Sequence, residues 1–571
     1  MDVSHISTIF EDVARILELK GDNPFKVRAY QRAARTIEGL GDELESLIKD
    51  DRLTDLDGIG NDLAEKIKEI VLSGRLRYYE ELQNTIPAGL LAMMDIPGLG
   101  PKTVKLLYDQ LGIDSVKKLQ LAAKAGRLKA LEGIKEKTEK NILKGIAIVR
   151  LGQERTPYPF IYPLAEGFLR ELKSLKAVEK IELAGSIRRR KDTIKDIDIL
   201  AVSHDAPAVT DAFTALPGVR QVLARGRTKS SVRAGEFNTQ VDLRVVEKDS
   251  FGAALMYFTG SKEFNVAMRR LAIKKGYKLN EYGLFDKKGK RLAGSREEEI
   301  FSLLGLTFIP PELREDRGEI AAATRGSLPR LIKFSDIAGD LHVHSDYSDG
   351  AVSLSGIAEI ALARGYRYIG ITDHSQSLKV AKGLDQSALL KKRDAIARLN
   401  EQHKSLRILF GTEVEIMADG SLDYCDDILK EFDLVVAAVH SSFKQSRTQM
   451  TKRVVSACRN KYVNILAHPT AKLWGTRDSV DIDMDELLRV CRDTRVAMEM
   501  NCNGQRMDLN DAGAMQAKKM AVKLAINTDS HKPADFDRMA AGVYLARRAW
   551  LHPQDVINCL SYDELKKWLK K

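Results

Sequence analysis

The sequence is poor in cysteine, in aromatic residues and in long apolar runs. Its 5 Cys among 571 residues are odd in number and show no C-x-x-C spacing, which argues against a disulfide framework and fits a reducing compartment. Aromatic residues make up 6% of the chain, and no run approaches the roughly 18 apolar residues of a membrane span. The N-terminal segment lacks the apolar core of a signal peptide. These absences predict a cytoplasmic protein without a membrane partner.

Positive charge is concentrated in the first part of the chain. The formal net charge is +11, and residues 1–335 hold 57 Lys and Arg against 48 Asp and Glu, whereas the remainder holds 34 against 32. The excess is densest in 101–150, with 12 basic and 5 acidic residues. A basic segment predicts a polyanionic partner such as nucleic acid, although such charge can also serve solubility alone.

The last part of the chain contains short apolar runs that each end in a residue type able to bind a metal. Because His and carboxylate side chains are costly to bury unless they are paired or metal-bound, their recurrence at strand ends predicts a β/α barrel with a polynuclear hydrolytic metal site on one rim. The runs are GDLHVH (339–344), YRYIGITDH (366–374), LRILFGTEVE (406–415), DLVVAAVH (433–440), YVNILAHP (462–469), RVAMEMNC (495–502) and VKLAINTDSH (522–531).

Residues 4–150 are predicted to be almost entirely helical, with glycine turns that repeat. A Gly-x-Gly turn between helices directs backbone N–H groups at the next helix N-terminus, an arrangement that suits a phosphate. Two copies of the turn are LDGIGNDLAEKI (56–67) and IPGLGPKTVKLL (96–107), and a third, weaker copy, LEGIKEKTEKNIL (131–143), has Lys135 in place of the second glycine. The pattern resembles the helix-hairpin-helix motif of non-specific DNA binders, and it implies DNA contacts at Gly58, Gly60, Gly98, Gly100 and Lys102.

Three aspartates fit two-metal phosphoryl transfer. Asp196 and Asp198 alternate with apolar residues, so both lie on one face of a predicted strand, and Asp242 lies on a second strand, TQVDLRVV (239–246). Three acids on adjacent strands can hold two divalent cations, one that activates a hydroxyl and one that steadies a leaving pyrophosphate. A lone D-x-D is also a common solvent-facing pattern.

Residues around this triad resemble the motifs of one enzyme family. Gly185-Ser186, ten residues before the D-x-D, is similar to the nucleotidyltransferase signature, and YFTGSKEFNVAMRRLA (257–272) resembles the start of the thumb in DNA polymerase beta and its bacterial relatives. The chain thus resembles family X DNA polymerases over about 1–317, with Gln240 where vertebrate members have an arginine. The resemblance implies nucleotide binding by Arg155, Gly185, Ser186, Arg189, Tyr257, Phe258, Gly260, Asn265 and Arg269.

The segment GDNPFKVRAYQRAARTIE (21–38) resembles the N-terminal domain of the same family, which grips a 5′ phosphate and can carry a lyase lysine. The resemblance implies phosphate contacts for Lys26, Arg28, Tyr30 and Arg35, and a Schiff-base role for Lys66. The predicted phosphate contacts and the predicted Schiff-base role each have a structural alternative. The basic residues can be a solvated face, and Asp62, four residues before Lys66, can form an ordinary helix salt bridge with it.

From Gly339 the chain resembles the polymerase and histidinol phosphatase (PHP) domain found fused to bacterial family X polymerases. The resemblance implies a distorted (β/α)7 barrel with three Zn²⁺ or Mn²⁺ ions, beside Mg²⁺ or Mn²⁺ at the aspartate triad. Asp373, Glu499 and Asn501 are expected to support the ligands. The implied ligands are His342, His344, Asp349, His374, Glu413, His440, His468, Asp529 and His531.

The prediction is therefore a multidomain α+β and α/β protein. We expect a family X polymerase that fills short gaps in DNA repair, with a PHP 3′–5′ exonuclease, a potential AP endonuclease activity, and gapped or primed DNA and deoxynucleoside triphosphates as partners of a monomer. A DNA-binding protein with vestigial catalytic parts and a small-molecule nucleotidyltransferase joined to a phosphatase are the alternatives. The predicted segments are a lyase-like helical domain (1–82), helix-hairpin-helix fingers (83–152), a nucleotidyltransferase palm (153–250), a thumb (251–317), a linker (318–335) and the PHP domain (336–571).

Overall fold

A computed structural model describes residues 3–38, 44–56, 58–73, 75–87, 89–94, 96, 99–131, 134, 139, 142–143, 146, 155–474 and 476–570. The chain forms two compact units, each discontinuous in sequence. The first comprises Met1–Thr156, Phe168–Glu182 and Lys195–Glu247, and the second comprises Pro157–Gly167, Leu183–Ile194 and Lys248–Lys571. The six predicted segments are a finer division and stay a prediction. Among the described residues, no helix has the length and apolar character needed to cross a membrane.

The strands carry the fold of both units. In chain order they are β1 Thr156–Pro157, β2 Val178–Leu183, β3 Thr193–Ile194, β4 Asp196–Ser203, β5 Val219–Arg225, β6 Lys229–Ala234, β7 Thr239–Val246, β8 Lys278–Asn280, β9 Gly283–Phe285, β10 Arg291–Ala293, β11 Gly339–Val343, β12 Tyr368–Ile371, β13 Arg407–Glu415, β14 Leu434–Ala438, β15 Ile465–Leu466, β16 Ala497–Asn501 and β17 Leu524–Asn527.

The first unit combines helices with a five-stranded sheet of order β2-β4-β7-β6-β5. Its N-terminal helices bury apolar residues at helical spacing in two clusters, one centred on Phe10 and Tyr30 and one on Met93 and Leu107. The α-helices that lie within this unit are Val3–Lys20, Pro24–Glu38, Leu44–Lys49, Asn61–Ser73, Arg77–Gln83, Gly89–Met94, Pro101–Leu111, Val116–Lys124 and Ala206–Thr214. Tyr158–Lys173 contributes residues to both units.

The second unit contains a three-stranded sheet, β10-β9-β8, and a parallel sheet that runs in order from β11 to β17. β17 returns to β11, since Val343 and Ser530 form a parallel bridge and the His344 N–H donates to the Ser530 carbonyl at 3.0 Å. The sheet is a nearly closed barrel, as predicted. The α-helices of the second unit are Gly185–Arg188, Phe251–Thr259, Lys262–Lys274, Glu297–Leu303, Glu319–Thr324, Leu354–Ala363, Gln386–Gln402, Asp426–Leu429, Arg447–Cys458, Met484–Thr494, Asp511–Lys519, Met539–Arg548 and Tyr562–Leu569.

Residues 318–335, predicted as a linker, are packed within the second unit. Glu319–Thr324 is a helix, and Leu331 lies in the hydrophobic cluster of residues 253–331. The Ile332 N–H donates to the Leu551 carbonyl at 3.1 Å. The small residues that suggested a flexible connection instead allow close packing, because Ala322 and Ala323 are buried.

Candidate active sites

The aspartate triad lies on two adjacent parallel strands of the first unit. Asp198 on β4 is directly opposite Asp242 on β7, and Asp196 is opposite Gln240. Neighbouring strands are about 4.8 Å apart, so the facing carboxylates of Asp198 and Asp242 start from positions that one cation can bridge. All three aspartates are half-buried. The register thus brings the predicted triad together.

The electrostatics of this triad favour a cation. Burial raises the pKa of Asp196, the charge of Asp242 raises it further, and Lys195 and exposed Arg155 only partly offset these effects. Because like charges meet in a half-buried place, a divalent ion would relieve their repulsion, which fits the predicted two-metal site.

Gln240 orients the third aspartate. Its Nε2 donates to Asp242 Oδ1 at 3.2 Å and to Oδ2 at 3.1 Å, and Ser231 Oγ also donates to Oδ1. A neutral amide therefore holds the carboxylate where the vertebrate enzymes have an arginine. The amide leaves more negative charge on Asp242 than a guanidinium would.

The glycine-serine turn and its arginines belong to the second unit. Ser186 Oγ is buried with no hydrogen-bond partner among the described residues, which suits an oxygen-rich ligand. Arg189 differs from its predicted role as a triphosphate ligand. It is 8% exposed, its Nε donates to Glu315 at 2.9 Å, and its Nη1 donates to the Thr259 carbonyl at 2.6 Å. The Arg189 guanidinium therefore donates its hydrogen bonds to acceptors within the protein, and these acceptors are too distant in sequence to be predicted from neighbouring residues.

The predicted thumb residues form a compact turn in the same unit. The rings of Tyr257 and Phe258 meet edge to face at 5.2 Å, and Asn265 Nδ2 donates to the Tyr257 carbonyl at 2.6 Å. A side chain at Gly260 would come within 2.7 Å of Asn265 Oδ1, so packing requires glycine there. Arg269 is exposed one turn after Asn265. Nucleotide contacts by these residues stay a prediction.

The first glycine turn has the predicted hairpin geometry. Gly58 has a φ of +81°, and a Cβ there would collide with the Arg32 side chain, while exposed Gly60 precedes the helix Asn61–Ser73. In the second turn, Gly100 caps the helix Pro101–Leu111 and Lys102 is exposed. Gly98 and most of the third copy, including Lys135, lie outside the described residues.

The predicted 5′-phosphate contacts are only partly exposed. Lys26 and Arg28 are exposed, and Lys26 Nζ donates to the Tyr78 hydroxyl at 2.8 Å. The prediction for Tyr30 is wrong as a surface contact, because its side chain is 2% exposed and its ring packs edge to face on Phe10 at 5.4 Å. Arg35 lies in the helix Pro24–Glu38, but its side chain is outside the described part of the chain.

Lys66 is paired with Asp62, the alternative that the sequence left open. Its Nζ donates to Asp62 Oδ1 and lies 5.5 Å from the centre of the Tyr78 ring. The Asp62 carboxylate thus contacts the amine that a Schiff base would use. A lyase role for Lys66 stays a prediction.

The nine predicted metal ligands lie at the C-terminal ends of the barrel strands, where such barrels place their sites. Three overlapping groups have ligand atoms within 4.8 Å of one another, and His344 and His374 each belong to two of them. Glu413 is central, since its Oε1 lies 3.0 Å from His468 Nε2 and its Oε2 lies 2.9 Å from His374 Nδ1. The groups are His344, Asp349, His374 and His531; His342, His344 and Asp529; and His374, Glu413 and His440.

Hydrogen bonds to one ring nitrogen orient several of these histidines. His342 Nδ1 lies 2.7 Å from Glu499 Oε1, His440 Nδ1 lies 2.8 Å from Glu415 Oε2, and His531 Nδ1 lies 2.9 Å from the Asp529 carbonyl. Each contact places the proton on Nδ1 and leaves the Nε2 lone pair for a metal. The sequence prediction missed Glu415, although its period-two spacing from Glu413 on one strand could have revealed it.

The donor atoms fit metal ions. Among the described residues, His342 Nε2, His344 Nε2 and His468 Nδ1 are buried without a hydrogen-bond partner, and His374 Nδ1 and Glu413 Oε2 lie close together without hydrogen-bond geometry. Buried polar atoms are normally satisfied, so this concentration of lone pairs fits the binding of metal ions. Imidazole with carboxylate suits Zn²⁺ or Mn²⁺.

The charges of this cluster are strongly coupled. Burial alone would lower the pKa of His440, but Glu413 and Glu415 outweigh it and raise that pKa to about 9. Burial raises the pKa of Glu413, yet the surrounding imidazoles bring it well below its usual range. Arg506 Nε lies 3.4 Å from Asp529 Oδ2 and adds positive charge that the sequence prediction did not include.

Glu499 offers a test of the oriented histidines. Its Oε1 also accepts from Asn527 at 2.9 Å, and its Oε2 accepts from the His468 N–H at 2.8 Å and from Asn501 at 3.0 Å. Because a glutamine would turn one acceptor into a donor, Glu499→Gln is expected to weaken metal binding and nuclease activity by about 10- to 100-fold. Metal titration followed by nuclease assay measures this, with exposed Glu431→Gln as the control. Equal metal affinity in both variants would contradict the assignment.

Family models match four parts of the chain. They are a helix-hairpin-helix domain at 1–76, a SAM-like helix-hairpin-helix tandem at 90–147, the DNA polymerase beta thumb at 254–315, and the PHP domain at 340–503. The two hairpin models cover the repeated glycine turns, and the PHP model covers seven of the nine predicted ligands, up to His468.

Individual relatives extend these matches. The chain is 38% identical over 574 residues to the DNA polymerase/3′-5′ exonuclease PolX of Bacillus subtilis (strain 168), across 100% of both chains. It is 25% identical to DNA polymerase lambda of Rattus norvegicus over 339 residues, 54% of this chain and 56% of the relative. A probable phosphatase of Thermoanaerobacter sp. (strain X514) is 29% identical over 244 residues, 41% of this chain and 94% of the relative.

Proposed function

The chain belongs to the family X DNA polymerases that carry a C-terminal PHP domain, and from this membership we propose how its two sites work. It is a DNA polymerase with 3′–5′ exonuclease activity that binds DNA and depends on divalent metals. We propose that it fills short gaps during DNA repair, as a cytoplasmic monomer. The observation that carries the proposal is the presence, on one chain, of register-matched aspartates and a separate histidine-carboxylate cluster.

In the proposed polymerase reaction, the primer 3′ oxygen bonds to the α-phosphorus of a deoxynucleoside triphosphate, and the bond to pyrophosphate breaks. Two Mg²⁺ or Mn²⁺ ions, when bound, would lower the pKa of the hydroxyl and neutralise the leaving group. Asp196, Asp198 and Asp242 would hold these ions, and Gln240 fixes the orientation of Asp242. Ser186 would donate to a phosphate oxygen.

In the proposed nuclease reaction, a water oxygen bonds to phosphorus and the bond to the 3′ oxygen breaks, which releases a nucleoside monophosphate. Three Zn²⁺ or Mn²⁺ ions, when bound, would lower the pKa of the water and polarise the phosphodiester. The nine ligands would hold them, while Glu499 and Glu415 keep the imidazole rings oriented. An AP endonuclease activity would use the same chemistry on an abasic site.

A comparison of DNA substrates tests the gap-filling proposal. We expect nucleotide insertion into a gap of a few nucleotides to be about tenfold more efficient when the gap carries a 5′ phosphate. The reason is that Lys26 and Arg28 would bind this phosphate through charge-assisted hydrogen bonds. The double variant Lys26→Ala, Arg28→Ala should lose this gain. Lys68→Ala, which removes a lysine paired with Asp51 and Glu65, should keep it.

Insertion kinetics on matched gapped and open templates provide the readout. Equal efficiency with and without the 5′ phosphate would refute gap preference while leaving the polymerase assignment intact. The full-length similarity to a polymerase speaks against the small-molecule nucleotidyltransferase alternative, and intact ligand sets speak against vestigial sites.

A further inference from the structure

A buried ion network joins the barrel to the glycine-serine turn of the polymerase. Arg548, the last residue of the helix Met539–Arg548, is 1% exposed. Its Nη1 donates to the Arg189 carbonyl at 2.8 Å and pairs with Glu315 Oε1 at 3.0 Å, and its Nη2 donates to Asp511 Oδ2 at 2.7 Å. All of these residues belong to the second unit, so one barrel side chain contacts the turn directly.

The same contacts fix Arg189 on both its main chain and its side chain. Glu315 Oε1 accepts from Arg189 Nε at 2.9 Å while it pairs with Arg548, so one carboxylate connects the two arginines. Arg189 Nη1 then reaches the carbonyls of Thr259 and Gly260, at the start of the predicted thumb. Loss of Arg548 would free the Arg189 carbonyl directly and would remove one of the two arginines that share Glu315.

A second contact comes from the same barrel helix to the next residue of the turn. The guanidinium of Arg190 lies 4.2 Å from the centre of the Tyr544 ring, one helical turn before Arg548, and 5.0 Å from the Tyr162 ring. Cation–π contacts of this kind stabilise a desolvated arginine. Two successive residues of the turn are thus held by one helix of the barrel.

Charge balance explains why the network tolerates burial. Burial raises the pKa of Glu315, but Arg189 and Arg548 more than compensate and lower it. Asp511 is likewise shared by Arg548 and Arg317, whose Nη1 lies 3.0 Å from Asp511 Oδ2. Because buried charges are costly unless partners satisfy them, loss of Arg548 would force Glu315 and Arg189 to rearrange.

We propose that Arg548 is a positioning residue for nucleotide insertion, which acts through the glycine-serine turn 185–190 of its own unit. The inference rests on the proposed role of the turn 185–190 in binding the incoming triphosphate. Arg548 itself touches no substrate, and it acts by holding Arg189 and with it Ser186.

The test is steady-state kinetics of single-nucleotide insertion by the full-length Arg548→Met variant. We expect the KM for the deoxynucleotide to rise about tenfold with kcat changed less than about threefold, because a charge-assisted hydrogen bond to the turn is lost. Arg548→Lys, which keeps the charge but not the fork, should give an intermediate KM. Arg547→Met is the matched control, since Arg547 donates to Glu312 and to the Ile332 carbonyl, and none of its described hydrogen bonds reaches the turn.

Exonuclease activity of each variant reports on folding, because Arg548 lies in the barrel that carries the nuclease. If Arg548→Met fails to fold, Arg548→Lys provides the test, since lysine keeps a positive charge beside Glu315 and Asp511 and loses the forked contact with the Arg189 carbonyl. A raised KM with normal exonuclease activity in either variant supports the proposal, and an unchanged KM overturns it. Ser186→Ala tests the triphosphate role of the turn separately from the role of Arg548. If this variant leaves the KM for the deoxynucleotide unchanged, the proposed triphosphate role of the turn fails, whatever Arg548 does.

Discussion

Asp198→Ala is expected to reduce primer extension by about 100- to 1000-fold and to leave 3′–5′ exonuclease activity intact. Asp198 faces Asp242 across two parallel strands, so alanine removes one side of the proposed cation-binding pair. Metal stabilisation of the developing charge contributes several kcal/mol, and each 1.4 kcal/mol is a tenfold change in rate. Insertion of one nucleotide into a gapped substrate measures the loss.

A matched control for this prediction lies in the same sheet domain. Asp211→Ala removes a carboxylate that pairs with Arg225 at the surface, and it should insert nucleotides at the wild-type rate. Wild-type insertion by Asp198→Ala would show that the facing aspartates do not carry the reaction. Loss of exonuclease activity in the same variant would show instead that the fold is damaged.

His342→Ala is expected to have the opposite effect, with nuclease activity lowered by about 100- to 1000-fold and nucleotide insertion preserved. His342 Nε2 lies 3.4 Å from Glu413 Oε2 and 3.6 Å from Asp529 Oδ1, so its lone pair points into the ligand cluster. Alanine removes this donor and leaves Glu499 without its imidazole partner. Resection of a 5′-labelled primer in the absence of nucleotides measures the effect.

His403→Ala is the control for this change, because His403 ends the helix Gln386–Gln402 and belongs to none of the ligand groups. It should resect DNA as the unchanged protein does. If His342→Ala and His403→Ala resect equally well, the barrel cluster is not the nuclease site. Thermal melting of both variants shows whether the alanine at 342 also costs stability, as removal of a buried side chain can.

The barrel could be predicted from sequence because its strands have a recognisable local sequence pattern. Both faces of β12 and β14 are buried, so these strands appear as continuous apolar runs, and each run is followed by a ligand. Burial of His and carboxylate groups is costly enough to be informative without a structure. The triad was predictable for a similar reason, since period two fixes the face that Asp196 and Asp198 share.

Contacts between distant residues could not be predicted in this way. Arg189 has the residue type of a phosphate ligand, and only its partner Glu315, 126 positions later, reveals its other use. Segment 318–335 resembled a linker by composition, but packing against residues such as Leu551 decides its state. Tyr30 is different, because Val27, Tyr30 and Ala34 lie at helical spacing on the buried face, so periodicity alone could have excluded it from the surface.

The central claim is that the barrel has a metal centre of its own, independent of the aspartate triad, and metal content per chain tests this claim most directly. Elemental analysis of the purified protein should find about three tightly bound transition-metal ions, one for each ligand group, and the same number in Asp198→Ala. His342→Ala should retain fewer. A wild-type protein without such ions, or a loss in Asp198→Ala equal to that in His342→Ala, would contradict the account.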